Sequence, residues 1–172
     1  MAKHIDYKYC PQCQREFTVR EGNPYCGHCD ITIYHNVVAA ASAMVVQDGQ
    51  VLLTRRKREP KKGRYDIPGG FIEPGETARQ ATLRELKEET GLEGEIVELL
   101  GVYDDHYEDD TYTLGAHYIV KITAGTPTAG DDAASLEWVD LEDLPHELSQ
   151  SFFNVRQSIH DLQAWHRSQG HN

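Results

Sequence analysis

The stretch that decides the reading is 69-GGFIEPGETARQATLRELKEETGL-92. It opens on two glycines and then carries five glutamates, of which Glu85, Glu88 and Glu89 fall within five positions. Thr77 followed by Gln80 is a capping-box pattern, and Gly91 is a helix stop, so the spacing predicts a helix over 77–90. At about 100° per residue, Glu85, Glu88 and Glu89 share one face as i, i+3 and i+4 neighbours. Leu83, Leu86 and Thr90 point nearly opposite, toward a core. Three carboxylates on one face repel one another and cost stability without a partner. Arg84 can pair with Glu88 one turn later, but one arginine does not neutralise three glutamates, and Lys87 lies on a different face. Charge runs are usually solvated surface. The other reading is a face for a hard divalent cation such as Mg²⁺, which takes carboxylate oxygens and binds substrate phosphates. The preceding 68-PGG-70 turn brings backbone amides and carbonyls toward that face and favours the second reading.

Working outward, 37-VVAAASAMVV-46 reads as a buried strand, too short to span a bilayer. The turn 47-QDGQ-50 suits positive φ angles at Asp48-Gly49 and leads into a partner strand, 51-VLLTRR-56. A basic loop, 57-KREPKKGR-64, and a short extended piece, 65-YDIPGG-70, complete the approach to the helix. Beyond it, 95-EIVELLGVY-103 and 112-YTLGAHYIVKI-122 read as strands flanking an acidic loop, 104-DDHYEDDT-111. A second loop, 124-AGTPTAGDD-132, precedes a short strand, 136-LEWVD-140. The last element, 150-QSFFNVRQSIHDLQAWHR-167, is an amphipathic helix whose Phe152, Val155, Ile159, Leu162 and Trp165 form a core stripe. This order suggests a mixed sheet with helices on both faces.

All four cysteines lie near the N-terminus, as 10-CPQC-13 and 26-CGHC-29, with twelve residues between the pairs. In a reducing compartment this spacing reads as a tetrahedral Zn²⁺ site of Cys10, Cys13, Cys26 and Cys29; two disulfides or redox-active pairs are the alternative. Such a site holds together some 30 residues too few to build a core alone. The expected division is a zinc ribbon at 1–34, with 16-EFTVR-20 as a short strand, and a main domain at 35–172.

With 172 residues and 39% apolar content the chain can bury a real core. The net charge of −11 argues against nucleic acid as a partner. It leaves room for a small phosphate substrate, because bound cations invert the local field. MAKHIDYKYC has no apolar signal-peptide core, so a cytoplasmic protein without membrane partners is the expectation.

On these residues the central segment resembles the Nudix box, G-x5-E-x7-R-E-U-x-E-E-x-G-U with U apolar. Gly70, Glu76, Arg84, Glu85, Leu86, Glu88, Glu89, Gly91 and Leu92 fill every fixed position. The resemblance implies an α/β fold, a Nudix-type α/β/α sandwich with a mixed sheet behind the small ribbon. It implies a hydrolase that cleaves a diphosphate attached to a nucleoside, with Glu85, Glu88, Glu89 and the Gly70 carbonyl as ligands of Mg²⁺ or Mn²⁺. Arg84 would orient Glu85, and Glu76 would support the site from behind. Glu88 or Glu89 would activate water, or a later loop would supply the base through Asp131, Asp132 or Glu137. Relatives often dimerise, so a homodimer is a further expectation.

The cysteine module also resembles that of zinc-ribbon Nudix proteins, among them NADH pyrophosphatases. The S-Q-P-W signature of those enzymes has no counterpart in 101-GVYDDHYEDD-110. ADP-ribose or a similar NDP-sugar is therefore the leading substrate. A nucleoside triphosphate (a sanitising activity) or NADH comes next, and a non-catalytic nucleotide-sensing module is the reading of another class. Tyr103 and Tyr107, taken as loop residues, are candidates to stack on a base. Arg55 and Arg56 are candidates for a substrate phosphate.

Overall fold

The computed structural model describes residues 7–107, 111–130 and 132–170. The chain divides into two compact units, Met1–Val38 with His106–Tyr112, and Ala39–Asp105 with Thr113–Asn172.

The first unit holds a three-stranded antiparallel sheet of β1 (Thr18–Arg20), β2 (Asn23–Cys26) and β3 (Ile31–Thr32), in that order. Tyr9 bridges to Glu16 just ahead of it. The expected strand over 16–20 is thus a bridge at Glu16 followed by β1. Tight turns replace a core here. The amide of Cys10 donates to the Arg15 carbonyl at 2.8 Å, and that of Gln14 to the Cys10 carbonyl at 2.8 Å. Cys10 and Cys26 are buried.

The second unit is built on a seven-stranded mixed sheet. Its main strands are β4 (Val38–Gln47), β5 (Gln50–Arg56), β8 (Leu92–His106), β9 (Tyr112–Gly125) and β10 (Ala133–Asp140). They run in the order β10-β5-β4-β9-β8. Two short strands, β6 (Tyr65–Asp66) and β7 (Gly69–Phe71), pair antiparallel with β5 and β4. The β4–β5 turn has Asp48 at φ 51° and Gly49 at φ 78°, the mirror-image turn that the sequence suggests.

Strand alternation sorts the core. Ala43, Val45 and Leu52 turn to one face and meet Leu86, Leu92 and Val120. Leu86 comes from helix α1 (Ala78–Thr90). Met44, Val51 and Leu53 turn the other way and are equally buried. Helix α2 (Phe153–Gln169) buries Val155, Ser158, Ile159 and Leu162. It is tied to strand residues by Tyr103 to Asp161 at 3.0 Å and by Trp165 to Glu98 at 2.6 Å. The layers follow α/β/α order. Helix α1 starts as expected: the Gln80 amide donates to the Thr77 hydroxyl, the Thr77 amide donates back to the Gln80 side chain, and Gly91 caps the end at φ 69°.

Strand β8 runs to His106, so the stretch expected as a loop from 104 begins inside a strand. The alternation of 101-GVYDDH-106 buries Tyr103 and Asp105 and exposes their neighbours. Among the described residues no helix is long and apolar enough to cross a membrane.

Candidate functional site

Helix α1 lies against β7, and the contact is as tight as a backbone allows. A Cβ built at Gly70 would collide with the Glu85 carboxylate. Only glycine lets the strand backbone sit against that side chain, which accounts for the glycine pair in the sequence.

Arg84 organises the acidic face. Its guanidinium forks onto Glu76, with Nε to Oε1 at 2.9 Å and Nη2 to Oε2 at 3.0 Å. Nη1 donates to Glu85 at 2.8 Å and to Glu88 at 3.0 Å, and Nη2 also reaches the Phe71 carbonyl at 3.1 Å. One cation thus joins three carboxylates and strand β7. The Arg84 hydrogen bond holds Glu76 below its ordinary carboxylate range, helped by the Glu73 amide. Glu85 is pushed up by burial, against the pull of Arg84.

Glu89 takes a different partner. It accepts a hydrogen bond from the Gly69 amide at 3.1 Å. Burial raises its pKa to about 8, against the Gly69 amide and with help from the negative charges of Asp66, Glu85 and Asp132. Glu88 is the outermost of the three, with 59% of its side chain exposed. The three carboxylates share a face, as the helical spacing requires; Arg84 joins Glu85 to Glu88, while Glu89 turns to the Gly69 amide. Among the described residues, only the cysteines gather their ligand atoms within 4.8 Å of one another.

The donors on α1 and β7 still fit a hard divalent cation. They are carboxylate oxygens at i, i+3 and i+4 beside a glycine backbone that a side chain would displace. The four sulfurs fit a soft tetrahedral ion. Backbone amides of Cys29 and His28 lower the Cys26 thiol to about 7. Cys29 is raised to about 12 through its hydrogen bond to Cys13, with burial adding to it.

The other sequence candidates are placed as follows. Arg55 lies over the Tyr65 ring at 3.5 Å and pairs with Glu137 at 2.9 Å. Tyr65 donates to the same Glu137 at 2.7 Å. Arg56 pairs with Asp66 at 2.7 Å. Glu137 sits in β10, not in a loop, and Arg55 and then Tyr65 hold its carboxyl below the usual range. Asp132 pairs with Arg58 at 3.2 Å. Asp131 lies outside the described residues. Tyr103 is in β8 and only 7% exposed, which corrects the loop assignment. Its hydroxyl is spent on Asp161, and its ring lies 4.7 Å from that of His117. Tyr107 follows β8, its amide donating to the Thr111 carbonyl at 2.9 Å.

Sequence reasoning missed Asp66 and His117. Asp66 is the lone acid after the basic loop; burial raises its pKa, against Arg56. His117 is 1% exposed in β9, and burial lowers its pKa to about 4. Alternation along 112-YTLGAHYIVKI-122 puts His117 on the face of Thr113 and Ile119, a signal present in the sequence.

The model of the NUDIX domain matches residues 35–161. An ADP-ribose pyrophosphatase of Methanocaldococcus jannaschii is 37% identical over 134 residues, 77% of each chain. A NAD-capped RNA hydrolase, NudC, of Vibrio atlanticus is 26% identical over 141 residues, and the match spans 80% of this chain and about half of that relative, 51%. The solved structure of a NUDIX hydrolase from Nitrosomonas europaea aligns with a TM-score of 0.77 at 23% identity, over 96% of this chain and 94% of that one.

Proposed function

The chain belongs to the NUDIX family of hydrolases, and from that premise we propose that it cleaves, with a divalent metal, the diphosphate linkage of ADP-ribose or a similar NDP-sugar. The observation that carries this reading is the Arg84 hub, which joins Glu76, Glu85 and Glu88 over the Gly70 backbone. A solvated acidic surface has no need of a half-buried arginine forked across its carboxylates. The 37% identity to an ADP-ribose pyrophosphatase supports the substrate.

Glu85, Glu88, Glu89 and the Gly70 carbonyl would hold Mg²⁺ or Mn²⁺. Such an ion, when bound, neutralises phosphate charge and acidifies water. Glu76 fixes Arg84, and Arg84 fixes Glu85. Glu88, the most exposed carboxylate of the three, or Glu89 takes the proton from the attacking water as its oxygen bonds to phosphorus and the bridging P–O bond breaks. Glu137 is a weaker candidate, because Arg55 and Tyr65 already stabilise its anion. Asp132 is held by Arg58. Cys10, Cys13, Cys26 and Cys29 would hold Zn²⁺ and fold the ribbon, with the domain boundary at residues 34 and 35.

A second reading is a dinucleotide such as NADH, favoured by the similarity to NudC. The test is a coupled phosphate-release screen with Mg²⁺ or Mn²⁺ against ADP-ribose, NADH, diadenosine polyphosphates and nucleoside triphosphates. ADP-ribose turnover that stops on chelation is the expected result. No turnover of any of them by folded, zinc-loaded protein would overturn the enzyme reading in favour of a nucleotide sensor.

A further inference from the structure

Arg56 and Asp66 form an ion pair at 2.7 Å that the proposed chemistry leaves unused, with only 26% and 18% of their side chains exposed. A buried ion pair seldom stabilises a fold more than apolar side chains of the same volume would. Its two members are anchored to different parts of the molecule. Arg56 Nε donates to the Pro60 carbonyl at 2.7 Å, and the guanidinium lies 4.9 Å from the centre of the Phe152 ring. The cation is thus held by the basic loop and by the residue that opens α2. Asp66 is held by the turn that leads to β7. Its Oδ1 accepts from the Ile67 amide at 2.9 Å, while Oδ2 takes Arg56. With one oxygen on each partner, Asp66 is set as a charge and not as a metal ligand.

That turn is continuous with the acidic face. The Pro68 carbonyl accepts from the Ala43 amide at 2.8 Å, the Gly69 amide donates to Glu89 at 3.1 Å, and Gly70 sits against Glu85. Gly69 follows Asp66 by three residues, a span of at most ~11 Å. At that range, inside a protein, a fixed charge acts on a divalent cation by more than thermal energy. Asp66 is also the largest charge acting on Glu89, ahead of Glu85 and Asp132. Arg56 does not cancel it there, because the arginine is drawn to Pro60 and Phe152. The pair turns its negative end toward α1.

We propose that Asp66 is a positioning residue for the divalent cation of the α1 face: a fixed anion, locked by Arg56 and the Ile67 amide, that strengthens cation binding from outside the ligand set. This rests on the proposed cation site of Glu85, Glu88, Glu89 and the Gly70 carbonyl. Arg56 is the counterweight. It holds the buried carboxylate in place and ionised, and it offsets part of its field.

The test is the Mn²⁺ affinity of the zinc-loaded full chain, read from the EPR signal of free Mn²⁺ at about pH 8, which favours the ionised form of a carboxyl raised by burial. Asp66→Asn keeps the shape, leaves Arg56 without its counter-charge and should weaken Mn²⁺ binding about fivefold. Arg56→Gln should tighten it about twofold. The variant combining both should return to within about twofold of wild type. Opposite signs that cancel belong to a charge. A pair that only props the turn would weaken binding in both single variants and at least as much in the double, and that result overturns the proposal. Should Arg56→Gln fail to fold, Asp66→Asn beside the double variant decides. Recovery on removing Arg56 supports the charge, and no recovery overturns it. Equal affinity of Asp66→Asn and wild type overturns it too, while the cation site stands. No saturable Mn²⁺ binding by folded wild type overturns the cation site and this inference together.

Discussion

The cysteine turns and the glutamate face are both candidate ligand sets, yet they are arranged differently. Four sulfurs lie within 4.8 Å of one another, with Cys13 and Cys26 at 3.6 Å. Thiols tolerate this because they can share protons. The amides of Cys29 and His28 favour the Cys26 thiolate, while Cys29 keeps its proton. The three glutamates cannot gather that way, because carboxylates at short range repel. Arg84 takes Glu85 and Glu88, and the Gly69 amide takes Glu89. A thiol cluster is set by turn geometry. A carboxylate cluster needs a cation to close it, and here an arginine joins Glu85 to Glu88 while Glu89 turns to strand β7.

The sharpest break of that comparison is at the thiols. Cys10→Ser removes a buried thiol from the proposed zinc set, and zinc content measured on the purified protein should fall toward zero, since structural zinc contributes on the order of 10 kcal/mol to such modules. Full zinc content in this variant would mean that three thiolates suffice.

On the acidic side, Glu88→Gln keeps the shape and removes a charge. Turnover should fall about a hundredfold or more, with an unchanged melting temperature. Activity within a few-fold of wild type would place the chemistry elsewhere.

His117 shows what burial alone does to a titratable group. Its pKa is about 4 when folded, against an ordinary value of 6.5. The neutral ring is the folded form, so its contribution is complete above pH 6.5 and is lost as pH falls toward 4. The loss amounts to about 3 kcal/mol. Urea unfolding of wild type and His117→Gln across that window should show a steeper acid loss in the wild type. Parallel slopes would contradict the buried neutral imidazole.

The smallest effect belongs to Glu76→Gln, which leaves Arg84 with a weaker fork. Activity should drop about tenfold and more metal should be needed for half-maximal rate. An unchanged metal requirement would reduce Glu76 to a local prop.

Much of this was legible in the sequence, for physical reasons. The capping box at Thr77, the glycine stop at Gly91 and the turn at Asp48-Gly49 are local devices, and the structure forms all three. The face of Glu85, Glu88 and Glu89 follows from helical spacing alone. What spacing does not convey is which partner each side chain finds across the fold. Arg55 and Arg56 read as free phosphate binders, but Glu137 and Asp66, distant or overlooked in sequence, engage them. Tyr103 closes the expected strand 95–103 and reads as a loop residue at its end, but β8 runs on to His106. Its hydroxyl instead meets Asp161 on a helix 58 residues later. The closeness of Gly70 to Glu85 was implied by the glycine pair, but the Arg84 fork onto Glu76 needed the fold of the turn before α1.

The proposed α1 face should bind a divalent cation of its own, apart from the cysteine site. Equilibrium dialysis of zinc-loaded protein against Mn²⁺ tests it directly, with the wild type beside a variant combining Glu85→Gln, Glu88→Gln and Glu89→Gln. The wild type should show saturable Mn²⁺ binding that is lost in the folded variant, with zinc retained in both. Equal Mn²⁺ binding by the two proteins would contradict it.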